Sequence, residues 1–390
     1  MDFRSIAGFL SMSLPARFTR RHALQAISAA AGLAAGLPLR AQDGEIRIGQ
    51  SIHLSGPMAP TTSQSLRGQA LAFDEVNRAG GINGHPVKLI QLDDMYDPKR
   101  CLANVNALMD EHKVVALFGL ASSQAIGEAL PLLAQRKVPL IGIYSGSPAL
   151  RMQQHPYFFT TSASFSDEIV QMVRNLVAVQ QGDVGVVYID NPFGQFMLPV
   201  AEKIIQEHGA KLVSKQALAT DGANAADVAK ALAAERPKAV IMLAFGPSTV
   251  AFVKASRRGL GVPVYGLSVT NVSALLKAMG DDARGLAITQ TVPYPWRQTT
   301  AITRDFNAAA RRDNVPITYE AMLGYVNTRV LIEGLKRAGK AVTSESITRG
   351  FESMTRVDLG GYEVSYGPKK HHGSDFVEIT IVGPDGKFLR

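Results

Sequence analysis

The chain has 390 residues, 46% hydrophobic and 19% charged, with 35 glycines, 20 prolines and one cysteine. That is too apolar for disorder, long enough for two domains, and lacks the cysteines for an internal disulfide or a thiolate metal cluster. The formal charge of +8 does not point to nucleic acid, because half of it lies in the first 41 residues and the rest is scattered.

Those first residues carry Arg4, Arg17, Arg20, Arg21 and Arg40 against Asp2. An arginine pair precedes a mildly apolar run of about 14 residues, shorter than the roughly 20 that a helix needs to cross a bilayer. Leu39-Arg40-Ala41 partly fits a small-residue cleavage site. Residues 1–41 are therefore expected to be a signal peptide, removed before Gln42 to leave 349 residues. Thr19-Arg20-Arg21-His22-Ala23-Leu24 is similar to a twin-arginine export signal with Ala23 in place of the usual Phe. The general secretory route stays open, and no cysteine stands at the junction for lipid attachment. The product is expected outside the cytoplasm.

From Glu45 onward a β-branched run, a Gly/Ser/Pro turn and an amphipathic segment recur, the pattern of βα units around parallel sheets. Strands are predicted at 45–52, 87–93, 114–118, 139–143, 183–189, 211–216, 239–244, 262–266 and 285–290. Helices fall between most of them. Leu66, Ala70, Phe73 and Val76 repeat at helical spacing, and so do Ile169, Met172, Val173 and Leu176. The first of these helices ends in Ala79-Gly80-Gly81, where glycine permits a left-handed stop. Residues 291–296 have the Pro-rich composition of a crossing segment, followed by helices at 319–338 and near 344–354. The final run from Gly360 alternates, with Pro384-Asp385-Gly386-Lys387 as a turn, and reads as an antiparallel addition. Cys101 reads as a buried apolar residue.

Catalytic patterns are missing. No G-x-G-x-x-G follows Ile48-Gly49-Gln50-Ser51, the glycine-rich stretch 119–127 lacks the Lys-Ser/Thr ending of a phosphate loop, and Tyr144-Ser145-Gly146-Ser147 does not form G-x-S-x-G. The histidines form no H-E-x-x-H, and Asp93-Asp94 in an extended segment point to opposite faces. A binding protein is expected rather than an enzyme, with no cofactor and no metal.

Ligands of open α/β sheets bind beyond the carboxyl ends of the strands, where this sequence places small hydroxyl and aromatic residues. These are Ser55-Gly56-Pro57, Ser122-Ser123, Tyr144 to Ser147, Phe193 after Asn191-Pro192, and Phe245-Gly246-Pro247-Ser248. One of Ser122 and Ser123 is expected to cap the following helix, leaving the other to face a ligand. The same helix start offers free amides to a carboxylate. Phe193 and Phe245 read either as core or as apolar pocket wall.

In order and spacing, residues 66–94, 116–142, VVYIDNPFGQ at 186–195, VPVYGLSVT at 262–270 and 318–339 resemble the branched-chain amino acid (Leu/Ile/Val-binding) family of periplasmic solute-binding proteins. The resemblance implies an α/β fold of two Rossmann-like lobes with parallel sheets joined by three hinge crossings, the type I periplasmic binding fold. It implies an N-terminal lobe of 42–161 plus 293–348 and a C-terminal lobe of 162–290 plus 352–390. A monomer that closes on a small solute and delivers it to an ABC permease in the inner membrane follows, with no nucleic acid. Carried over by residue, the site comprises Ser122, Ser123, Tyr144, Ser145, Gly146, Ser147, Phe193, Phe245 and Ser268, with Trp296 as a further wall and Arg67 either in the cleft or on the wet face of its helix. Gly146 stands where relatives use threonine, and Phe193 where they often use tyrosine. The acidic partner of the substrate ammonium aligns near Leu267 or Ser268, and neither carries charge. Burying an ammonium without a partner is costly, so the expected ligand is a carboxylate or amide with an apolar or aromatic part. A true branched-chain amino acid binder and an exported ligand sensor are the alternatives.

Overall fold

The computed structural model describes residues 44–390; the expected signal peptide lies outside the described residues. The chain opens with β1 (Ile46–Ile52), α1 (Ala59–Arg78), β2 (Val87–Asp93), α2 (Pro98–Asp110), β3 (Ala116–Phe118), α3 (Ser123–Arg136), β4 (Leu140–Ile141), the single turn α4 (Pro148–Arg151) and β5 (Phe158–Phe159). These strands form one parallel sheet in the order β2-β1-β3-β4-β5.

The chain then crosses to a second set: α5 (Phe165–Ala178), β6 (Asp183–Ile189), α6 (Pro192–Glu207), β7 (Lys211–Leu218), α7 (Ala225–Ala234), β8 (Ala239–Leu243), α8 (Pro247–Gly259), β9 (Val264–Gly266), α9 (Val272–Met279) and β10 (Ala287–Gln290). It returns through α10 (Ala301–Arg312), α11 (Tyr319–Arg337) and α12 (Ser344–Glu352), with α11 lying along α1. A small hairpin of β11 (Val357–Asp358) and β12 (Glu363–Val364) follows. Finally β13 (Glu378–Val382) and β14 (Phe388–Leu389) join the second sheet. That sheet runs β14-β13-β10-β9-β8-β6-β7, parallel except for β13 and β14. The molecule is a two-lobed α/β fold, and the antiparallel addition read from the C-terminal pattern is β13 and β14.

Helices cover both faces of each sheet, so central strands have no wet side. In β8 all five residues are buried: Val240 and Met242 enter the core beneath α7 and α8, while Ala239, Ile241 and Leu243 enter the core beneath α5 and α6. A strand buried on both faces reads as a continuous apolar run. On the first sheet, Val105, Leu108, Ile126 and Leu130 fill one side, and Leu71, Phe73, Tyr325 and Val326 the other. Cys101 is 1% exposed in this first-lobe core, where burial pushes its thiol up to about 12.

Each sheet has a point at which its strand order reverses, between β1 and β3 in the first and between β6 and β8 in the second. Loops leaving the carboxyl ends of strands at such a point diverge to opposite faces and leave a crevice.

Candidate functional site

Loops at the two reversal points hold Ser122, Ser123, Phe193 and Phe245; Tyr144 to Ser147 follow β4 and Ser268 follows β9. After β3, Gly119 takes φ +66°, where a methyl group would meet Gln50 Nε2 at 2.3 Å and the Tyr144 ring at 3.1 Å. Only glycine lets the chain turn so close to both. Ser122 then sits in extended conformation at the N-cap of α3, and its Oγ accepts from Ala125 N at 3.3 Å. Ser123 is freed from capping. Its Oγ lies 2.7 Å from Ser145 Oγ, which also accepts from Ser147 N at 3.2 Å. Replacing the cap, Ser122→Ala, is expected to lower stability by about 1 kcal/mol, read as a smaller urea midpoint at unchanged slope.

Tyr144 is positioned from behind. Its hydroxyl donates to Gln69 Oε1 at 3.1 Å, and Gln69 and Gln50 exchange hydrogen bonds of 2.9 and 3.1 Å. Gln50 Nε2 also donates to Gly119 O at 3.1 Å, and Gln91 donates to Gln50 Oε1 at 2.8 Å. Such a network fixes the ring, because each amide rotation would leave a buried partner unmade. Burial holds the Tyr144 phenol well above its ordinary range, so it stays protonated.

Gly146 packs on the crossing to the second lobe. A methyl group there would come within 2.6 Å of the Phe165 ring, and Phe165 N donates to Gly146 O at 2.9 Å. Phe165 starts an aromatic row: its ring meets Phe193 edge-on at 5.7 Å, and Phe193 meets Phe245 edge-on at 5.3 Å. Phe193 and Phe245 are half-buried and pack against the apolar cores. Both rings rest on the core and keep part of their surface exposed.

Ser268 differs in kind. Its N and Oγ both donate to Glu168, at 2.7 and 2.8 Å, and Thr289 Oγ1 donates to the same carboxylate at 2.5 Å. Glu168, on the first turn of α5, is 0% exposed. Burial pushes its carboxyl up to about 7 against the pull of these donors. Ser268 is thus engaged in holding the end of β9 to α5. The acid absent from positions 267 and 268 has a neighbour after all, supplied by another element.

Two further residues are placed elsewhere. Trp296 stacks on Phe388 at 5.5 Å among Tyr294 and Tyr319, apart from the phenylalanine row. Arg67 is exposed and donates to Asn314 O at 2.9 Å, on the wet face of α1. Ser55 donates to Asp93, which also accepts from the amides of Leu54, Ser55 and Met95. The adjacent acids diverge as read: Asp93 gathers these exposed loops while Asp94 accepts from buried Ser51 at 2.9 Å. Between the lobes, Asn271 Nδ2 donates to Thr61 O at 3.0 Å.

Sequence reading missed Gln50, Gln69, Gln91 and Glu168. The first two and Glu168 had a signal: each is a polar residue on a buried stripe. Gln50 shares its strand parity with Ile48 and Ile52, Gln69 lies between Leu66 and Phe73, and Glu168 is one turn from Met172. No helix among the described residues is long and apolar enough to cross a membrane.

The chain matches the family described as periplasmic binding protein over residues 45–387. It is 22% identical over 386 residues to the Leu/Ile/Val-binding protein homolog 7 of Brucella suis biovar 1, covering 94% of this chain and 95% of that one. A substrate-binding periplasmic protein from Ralstonia solanacearum superposes with a TM-score of 0.78 at 27% identity, over 88% of this chain and 99% of the other. A possible leucine/isoleucine/valine-binding protein from Rhodopirellula baltica SH 1 gives 0.77 at 26% identity, over 89% and 97%.

Proposed function

Because the chain belongs to the periplasmic binding protein family, we propose that it is the periplasmic substrate-binding component of an ABC importer, capturing a small organic solute between its lobes. The solute is a carboxylate or amide with an apolar or aromatic part, passed to a permease in the inner membrane. The observation that carries this reading is the pairing of two unlike walls, one from the loops after β3 and β4 and the other from the start of α5 and the loops after β6 and β8. Ser123, Ser145 and the start of α3 present hydroxyls and helix-end amides, and Phe165, Phe193 and Phe245 present rings. A ligand bridging them gains hydrogen bonds at one end and apolar burial at the other only when the lobes are together, so it biases a hinge equilibrium that a permease can read. Residues 42–161 plus 293–348 and 162–290 plus 352–390 are the proposed moving bodies.

A branched-chain amino acid is the second reading. It is favoured by the names of the Brucella and Rhodopirellula relatives and by the Glu168 carboxylate one hydrogen bond behind Ser268.

The test is a thermal-shift series with leucine, valine, their 2-oxo acids, benzoate, benzamide and urea. A ligand at one hundred times its Kd adds about 2.7 kcal/mol to stability. Stabilisation by an oxo acid or an aromatic carboxylate or amide, weakened about tenfold by Ser123→Ala, is expected. Stabilisation by leucine or valine and by no amine-free compound would establish the second reading instead.

A further inference from the structure

A cavity of about 250 Å³ opens in the second lobe at the amino ends of β9 and β10, the opposite end of that sheet from the loops described above. Two turns leave it open. Gly261 at φ +66° and Gly285 at φ +85° bring the chain into β9 and β10, a conformation that favours glycine. Nothing stands within 4 Å of a methyl group at Gly261, and Arg257 Nη1, at 4.0 Å, is what one at Gly285 would meet. Neither turn therefore supplies a side chain to fill the space, and the Arg257 head group lies over Gly285.

The buried part of the lining is apolar and consists of Val253, Val264 and Leu286. The exposed part carries charge. Arg257 ends in the cavity from the last turn of α8, Arg284 stands beside Gly285, and Asp282 comes from the 3-10 turn Gly280–Ala283. Opposite charges around one cavity ordinarily pair, yet Asp282 is within ion-pair distance of neither arginine. Among the described residues, neither guanidinium has a hydrogen-bond or ion-pair partner. Two guanidiniums against one carboxylate leave one net positive charge around an apolar base.

That combination selects by chemistry. A carboxylate matches the guanidinium fork in shape and supplies the one negative charge that the rim lacks, whereas a second negative charge would meet Asp282. An apolar body can then rest on the valines and Leu286. The volume lies just under the roughly 300 Å³ at which small-molecule pockets begin, so the ligand is small.

We propose that this cavity is a second ligand site, for a small monoanionic carboxylate with an apolar body, held by Arg257 and Arg284. All of its lining comes from residues 253–286, so it needs no contribution from the first lobe and stands independently of the cleft.

The test titrates 4-iodobenzoate, 4-iodobenzamide and acetate calorimetrically at low ionic strength, and locates iodine by anomalous diffraction in crystals grown with 4-iodobenzoate. The proteins are the unaltered chain, Ser123→Ala, the double variant Arg257→Gln with Arg284→Gln, and the corresponding double lysine variant. A 4-iodobenzoate binding event is expected that survives Ser123→Ala, weakens at least tenfold in the glutamine variant and keeps part of its strength in the lysine variant. Acetate and the amide should each bind at least tenfold more weakly in that event, and iodine should lie against Val253 and Leu286. Both arginines are exposed, so their replacement leaves the core intact, as circular dichroism checks. Loss of all 4-iodobenzoate binding in Ser123→Ala would assign that binding to the cleft and overturn the proposal. Equal binding of 4-iodobenzoate and its amide in the event that survives Ser123→Ala would overturn it by leaving the arginines no role. Iodine in the cavity with no solution event that the glutamine variant weakens would overturn it as binding at crystal concentration only.

Discussion

Gly324→Ala is expected to destabilise the protein by about 3 kcal/mol, at the upper end of what overpacking costs. In α11, a methyl group at position 324 would stand 1.8 Å from Ser65 O of α1, and one at Gly68 of α1 would stand 1.8 Å from Ala321 O of α11. The obstacle is backbone in both cases, so no side chain can rotate away and the helices must part. Parting them moves α1, which carries Gln69 and with it the hydrogen bond to Tyr144. The variant should therefore lose ligand affinity as well as stability, although position 324 touches no ligand. Gly259→Ala supplies the contrast. It ends α8 with nothing within 4 Å of an added methyl, and should gain a few tenths to about 1 kcal/mol from helix propensity. Urea midpoints at constant slope measure both. A Gly324→Ala protein as stable as the parent would refute the close approach of α1 and α11.

These two glycines also mark where sequence reading reaches its limit. Strands 87–93 and 183–189 could be read to the residue because each is a seven-residue run rich in Val, Ile or Leu and bounded by Gly, Pro, Asn or Asp. Strands read at 114–118 and 139–143 shrink to Ala116–Phe118 and Leu140–Ile141. Their flanks are as apolar as their centres, so hydrophobicity alone does not say where the ladder ends. Phe158–Phe159 was not read at all, since two residues show no period. Within the site, local chemistry led to a serine cap at 122 or 123, because serine at a helix start has that favourable use, and the structure assigns it to Ser122. The partner of Ser268 did not follow, because Glu168 lies 100 positions earlier and the two are joined only by the packing of α5 on the second sheet. Gly68 and Gly324 likewise look like weak helix residues until the other helix is in place.

Glu168 gives the second large effect, a pH dependence with a definite sign. Its ordinary value is 4.5, and burial raises it to about 7 in the folded chain. Between those values the folded protein holds a proton that the unfolded chain has released, so stability falls as pH rises through this window. The contribution is fully present below the unfolded value and lost above the folded one. A shift of this size corresponds to about 3 kcal/mol at roughly 1.4 kcal/mol per unit. Glu168→Gln keeps one acceptor oxygen toward Ser268 and Thr289 but cannot ionise, so any cost of its amide group is the same at every pH. Unfolding free energies of the two proteins, measured by urea from pH 4 to 8, should diverge with increasing pH, the parent losing about 3 kcal/mol relative to the variant. Parallel curves would mean that the carboxylate is charged at no cost. The loop it holds runs from Ser268 to Asn271, which reaches Thr61 of the other lobe.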